Sequence, residues 1–365
     1  MKVFTMQRKI DAPMDRLFGR DIILSHIDTT NLRFVIPSNW VLMIFKYIII
    51  IMWALSSSMA KPSYSQSIPS QSWVDSLYVD VKKIGVSERT WITIKPLLKF
   101  DARVNSLDKS QPEFTHDLTS YLNKRITESR IDYAKQMIAQ HELLLNSIES
   151  EFHVPKELIV ALWGLESDFG RYQGNFNIIT SLTSLATGRR RVYFRNELLE
   201  AIALFDEGYY QVDEFVGSWA GAIGQCQFMP WNARNYGVDY DRDGIVDLQN
   251  STSDALASIA NFVRALGWNR SLIWGRPVSF SKKIDDMVLN GKTTYLLEEW
   301  QEIGVRRING DPLPDVHIEA RLLKPKNSGD RIYLIYSNFD VIMKWNRSHY
   351  FALTVGTLMN HITYR

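Results

Sequence analysis

The 365-residue chain, 45% apolar, carries enough apolar material for a substantial core and room for two domains or one elaborated one, which excludes disorder over most of its length. Its formal charge of +2 divides into seven Lys/Arg against four Asp/Glu in residues 1–60 and 35 against 36 in the rest, so no nucleic-acid partner is expected. The single cysteine, Cys226, rules out an internal disulfide and lies too deep to carry a lipoprotein anchor.

Near the N-terminus, Met43-Ile-Phe-Lys46, the apolar run Tyr47 to Leu55 and Ser56-Ser-Ser-Met-Ala60 follow the order of an export signal: charged start, hydrophobic stretch, small-residue cleavage site. Trp40 to Leu55 spans 16 residues and includes Lys46, short of the roughly 20 apolar residues of a spanning helix. A cleaved signal therefore fits better than an uncleaved membrane anchor, with Met43 as the expected true start and the periplasm as the destination. Residues 61–72, rich in Ser and Pro, read as a flexible lead-in. Trp73, Leu77, Val81, Ile126, Ile131, Ala134, Ile138 and Leu144 recur at helical intervals, predicting a helical domain over 73–150. Pro155 suits the first turn of a further helix whose stripe of Leu158, Ile159, Leu162 and Leu165 runs to Gly170, within a segment 151–268. Pro277, Gly310, Pro312, Pro314, Pro325 and Gly329 punctuate 269–340, where β-formers such as Arg331 to Tyr336 predict a small β-containing subdomain. Trp345, Phe351, Val355 and Met359 return to helical spacing in 341–365, a helix expected to pack back on the core. The fold class is mainly α, with a small β component.

Glu166 follows Leu162 by four residues and Ile159 by seven, which places it on the apolar face of its helix. Burial, Trp163 one turn back and the negative end of the helix dipole all favour the protonated acid there, the state a general acid needs. A buried Glu166–Arg171 ion pair explains the same position equally well. Gly217-Ser-Trp-Ala-Gly-Ala-Ile-Gly-Gln-Cys-Gln-Phe-Met-Pro230 sets three Gly and two Ala around Ser218, Gln225 and Gln227. Small residues let a bulky ligand approach the backbone, and these three side chains offer neutral hydrogen bonds to hydroxyl and acetamido groups. Taken alone, the segment also reads as a tight helix-to-loop junction.

Asp239-x-Asp241-x-Asp243-Gly244 has the spacing of an EF-hand loop, with the Ile245 carbonyl as a backbone ligand, yet position 12 is Asn250 rather than a bidentate Glu. A structural calcium site and a solvated acidic turn both fit. The seven His lack metal-ligand spacing, and Arg189-Arg-Arg191 reads first as a solvated basic patch.

W-G-L-E-S-D-F-G at 163–170, G-S-W-A-G-A-I-G at 217–224, Q-F-M-P at 227–230, D-x-D-x-D-G at 239–244 and A-L-A-S-I-A-N-F at 255–262 occur in order, followed by W-G-R at 274–276, G-V-R-R at 304–307 and W-N-x-S at 345–348. Together they resemble the B-type membrane-bound lytic murein transglycosylases, glycoside hydrolase family 103, from about Phe114 to the C-terminus. The resemblance implies a lysozyme-like catalytic core with an added helical domain and a small β domain. It implies cleavage of the β-1,4 bond between N-acetylmuramic acid and N-acetylglucosamine in peptidoglycan, with Glu166 as the single acid and base, a 1,6-anhydro product and no cofactor. By position, Ser218 would orient the acetamido group, Gln227 would line the sugar subsites, Asn346 beside Trp345 would place substrate, and Asn261 would border the groove. Asp254 matches a later aspartate that closes the calcium loop in some members. Phe262, Phe351 and Trp345 stand where tyrosine is common. Glycan strands are the expected partner, with wall-synthesis or remodelling proteins beside them, for a protein expected to be monomeric. A hydrolytic muramidase and a non-catalytic wall-binding scaffold are the alternatives.

Overall fold

The structure is a computed structural model that describes residues 68–109 and 117–363; the export-signal reading of residues 1–60 lies outside the described residues. In chain order the helices are α1 Gln71–Lys83, α2 Glu88–Ile94, α3 Ala102–Lys109, α4 Leu118–Arg125, α5 Glu128–Gln140, α6 Glu142–Phe152, α7 Lys156–Ser167, α8 Ile178–Leu185, α9 Arg191–Asp206, α10 Pro230–Tyr236, α11 Thr252–Ala265, α12 Leu297–Ile303, α13 Ser337–Trp345 and α14 His349–Thr363. Many begin as their sequence dictates. Ser70, Ser87, Asp117, Thr127, Asn177 and Ser251 each accept a hydrogen bond from the backbone N–H three residues on, satisfying one of the donors a helix start leaves open.

The short strands β1 Phe176–Asn177 and β2 Val216–Gly217 pair antiparallel. A five-stranded antiparallel sheet collects β3 Gly275–Phe280, β4 Asn290–Leu296, β5 Val305–Arg307, β6 Glu319–Leu323 and β7 Ile332–Ile335 in the order β4-β6-β7-β3-β5. Strand alternation splits its side chains between two cores. Tyr333 and Ile335 join the large helical core, whereas Ile332 and Leu334 join a smaller one with Val278, Leu297, Trp300, Val305 and Leu322.

Helix α7 sits at the centre, packed by α5, α6, α11 and α14. Leu158 to Leu165 are all buried, so the apolar stripe understates the helix: it has no solvent face. It also starts and stops differently from its sequence reading. Pro155 is the residue before the first turn, and the helix ends at Ser167 rather than Gly170 because Asp168 and Phe169 take left-handed backbone at φ 53° and 61°. Among the described residues no helix is long and apolar enough to cross a membrane.

Gly164 shows how tightly this helix end is packed. A Cβ there would stand 2.6 Å from the buried Phe169 ring, which lies edge-on to Trp163 and Tyr133 and has nowhere to go. Gly164→Ala therefore gains about 1 kcal/mol of helix propensity but loses about 1–3 kcal/mol to overpacking. A lowered midpoint in thermal unfolding is expected; an unchanged or raised one would show that the Phe169 ring yields.

Candidate active site

The last turn of α7 carries Glu166 to the edge of the interior, where it is half-buried. Trp345, the last residue of α13, donates its indole N–H to Glu166 Oε1 at 2.7 Å. The Trp345 ring is held by Phe228 at 5.5 Å and Phe262 at 5.3 Å between centroids. The Glu166–Arg171 ion pair considered from sequence does not form. Arg171 pairs with Asp168 at 2.6 Å, and Arg130 from α5 joins the same carboxylate at 3.2 Å, because the left-handed turn swings Asp168 out toward both. Cys226 lies close enough for the Glu166 charge to add to burial in pushing its thiol far up, so this cysteine is an inert core residue.

The segment 217–228 folds against this helix end. Ile223 bridges Gly217 on one side and Phe228 on the other, and Ser167 donates its hydroxyl to the Gln225 carbonyl. Its glycines answer the protein's own packing rather than leaving room for a ligand. A Cβ at Gly217 would meet the Ala222 carbonyl, one at Gly221 the Leu182 side chain, and one at Gly224 the Leu248 carbonyl. Gln225 is buried, with Oε1 accepting from Trp163 Nε1 at 3.0 Å and Nε2 donating to the Gln249 carbonyl, so its amide braces the site instead of facing it. Gln227, left-handed at φ 50°, commits both N–H donors to the carbonyls of Gln173 and Gly224, which leaves its side-chain oxygen to offer. Ser218 accepts from the Ala222 N–H at 3.0 Å and retains a hydroxyl proton to donate. Asn346 caps α13 beside Trp345 and is half-buried.

Asn261 donates Nδ2 to the Tyr236 carbonyl and accepts at Oδ1 from Arg264, so its amide ties α11 to the end of α10. The neighbouring Phe262 reaches the site through Trp345.

In the acidic loop, carboxylate oxygens of Asp239, Asp241 and Asp254 lie within 4.8 Å of one another. Asp243 falls outside this cluster, its Oδ1 accepting from the Ile245 N–H. Asp254 is fully buried and accepts from the N–H groups of Tyr240 and Asp247; burial nonetheless pushes its carboxyl up. Asp241 is held down by the Ser251 hydroxyl and, after it, that of Ser253.

A Transglycosylase SLT domain model matches residues 69–360. The chain belongs to the B-type lytic murein transglycosylases. Membrane-bound lytic murein transglycosylase B of Escherichia coli K12 is 31% identical over 243 residues, 65% of this chain and 65% of that protein. SltB3 of Pseudomonas aeruginosa, solved in complex with NAG-NAM-pentapeptide, superposes with a TM-score of 0.77 at 34% identity, covering 81% of this chain and 80% of that one. Slt35 of E. coli, solved in complex with calcium, gives 0.68 at 25% identity over 84% and 98%. The fold is accordingly the lysozyme-like one of these lytic transglycosylases.

Within this family member, two features escaped the sequence. The Trp345 N–H on Glu166 joins residues 179 apart, and no local spacing announces it. The clamp of Arg130 and Arg171 on Asp168 depends on a left-handed turn that a W-G-L-E-S-D-F-G string does not disclose except through its final glycine.

Proposed function

We propose that the protein cleaves the β-1,4 bond between N-acetylmuramic acid and N-acetylglucosamine in peptidoglycan by lytic transglycosylation, with Glu166 as the only catalytic carboxyl. The carrying observation is the environment of Glu166: half-buried at the end of a solvent-free helix, with one oxygen held by a group that can only donate. Because Trp345 occupies Oε1 as an acceptor, the transferable proton belongs on the other oxygen. That proton passes to the glycosidic oxygen as the bond to the anomeric carbon breaks, and the muramyl acetamido oxygen assists at that carbon. The carboxylate, steadied by the indole N–H, then takes the proton of the muramyl 6-hydroxyl, whose oxygen closes on the anomeric carbon as a 1,6-anhydro ring. No water is added. Ordinary glycosidases need a second carboxylate to activate water or attack the sugar. The neighbouring one here, Asp168, is tied to two arginines. Ser218 and Asn346 are the groups we assign to substrate orientation, with Gln227 lining the subsites through its oxygen. The peptidoglycan fragment bound to SltB3 supports this substrate class. The charged, apolar and small-residue order of residues 43–60 supports export to the periplasm.

We further assign a structural calcium to Asp239, Asp241 and Asp254. Three converging hard oxygen donors, one of them fully buried, suit calcium, and its charge would relieve their mutual repulsion. The calcium complex of Slt35 supports the assignment. It leaves the chemistry at Glu166 untouched.

Mass spectrometry of digested peptidoglycan tests the reaction. Wild type should release anhydromuramyl products, one water lighter than hydrolytic ones, and Glu166→Gln none; reducing-end products would make the enzyme a muramidase, and binding without products in both would make it a scaffold. Trp345→Phe keeps the ring in its aromatic box and removes the N–H, so kcat should fall by about tenfold or more with KM little changed, as for a lost hydrogen bond to a charged group. Calcium at about 100 times its Kd should stabilise the fold by about 2.7 kcal/mol. The thermal midpoint should therefore rise with calcium in wild type but not in Asp241→Asn, and equal behaviour of the two would remove the assignment.

A further inference from the structure

The segment that carries Ser218 and Gln227 is tied to its neighbours by one residue outside it. Gln249, half-buried just before α11, donates its side-chain Nε2 to the Glu214 carbonyl at 3.2 Å and to the Val216 carbonyl at 3.1 Å. Val216 belongs to β2, two residues before Ser218. The Gln249 carbonyl in turn accepts from Gln173 Nε2 at 2.9 Å and from Gln225 Nε2 at 3.2 Å. Gln173 reaches the Gly170 carbonyl with the same Nε2, and its own carbonyl accepts from Gln227 Nε2 at 3.0 Å. The turn after Glu166 and the segment facing it thus meet at one glutamine.

Gln249 is itself held in place by the loop before it. Its N–H and that of Asn250 both bond Asp247 Oδ1 at 2.9 Å, and the Asp247 N–H bonds the fully buried Asp254. The preceding Leu248 carbonyl accepts from the Gln225 N–H at 2.8 Å. Close packing bears on the same strand: a Cβ at Gly174 would collide with the Gly217 carbonyl and the Ser218 nitrogen. The backbone leading to Ser218 is therefore set by that packing and by two hydrogen bonds from a single side chain. Both donors of the Gln249 amide are committed to protein carbonyls, so it has none to give a sugar.

We propose that Gln249 is a positioning residue for the reaction, acting through the Glu214 and Val216 carbonyls to set Ser218 against the sugar whose bond Glu166 cleaves. The inference rests on the reading of Ser218 as a substrate-orienting group, and it extends the machinery to a side chain that acts on the substrate only through another.

A double-mutant cycle tests it, with soluble product released from peptidoglycan measured for wild type, Gln249→Met, Ser218→Ala and the pair, each first checked for a cooperative thermal transition. Methionine keeps the length of the side chain and removes its N–H donors; Gln249→Ala takes its place should the methionine variant fail to fold. Gln249→Met should lower kcat/KM by about tenfold in the parent and by less than about twofold in the Ser218→Ala background, where the group it steers is already gone. A general weakening of the fold would cost the same factor in both backgrounds. That result, or full activity in a folded variant, overturns the proposal and leaves Glu166 and Ser218 in their roles. Unchanged turnover in Ser218→Ala alone would remove the Ser218 assignment and this inference with it.

Discussion

A helix buried on all sides has to end inside the protein, and its last carbonyls must find partners there. In α7 the Trp163 carbonyl receives the N–H groups of Asp168 and Phe169, and the Ser167 carbonyl receives that of Tyr172. Such a stop requires left-handed backbone at two residues that are not glycine, at about 1–3 kcal/mol each. The turn persists because its surroundings over-determine it. Arg130 and Arg171 hold Asp168, Trp163 and Tyr133 box Phe169, and Gly170 lies so close to Gln225 that a Cβ would not fit. Glu166 is thus the point at which a rigid backbone leaves the interior, and its carboxyl gains a fixed position without full burial.

The same economy of space governs the glycine-rich segment that faces it. Backbone carbonyls of Ala222 and Leu248 and the side chain of Leu182 occupy the room that side chains at 217, 224 and 221 would need. The backbone from Gly217 to Phe228 is cross-bridged upon itself, and Gln225 anchors it to Trp163. Placement of Ser218 and Gln227 therefore follows from packing that is internal to the protein.

Where side-chain chemistry acts within a few residues of its own position, the sequence was readable. The apolar spacing of the helices and the β-formers at Arg331 to Tyr336 are local signals, and each corresponds to observed helices or a strand. Glu166 could be singled out because a carboxylate among Leu and Trp demands an explanation. What a residue does with its polar atoms was not local. Gln225 and Gln227 are two positions apart and equally polar, yet one amide is buried against Trp163 and the other turns on a left-handed φ toward Gln173. Asn261 follows the same rule, its amide being claimed by Tyr236 and Arg264 from other parts of the chain or the next turn. Periodicity also failed where burial was complete: with every face of α7 covered, the stripe carried no information about which side was inner.

Trp345 brings these strands together. A tyrosine at this position could donate a hydrogen bond to the acid and could also accept one, so it could trade protons with a carboxyl. An indole N–H only donates. It fixes Oε1 of Glu166 as an acceptor, and in the proposed reaction it would steady the carboxylate that remains once the proton has gone to the leaving group. Asp168 is paired with two guanidiniums, and Cys226 is buried as an inert thiol. In the reaction proposed above a single carboxyl serves as acid and afterwards as base, and the indole N–H suits both states because it acts in one direction only.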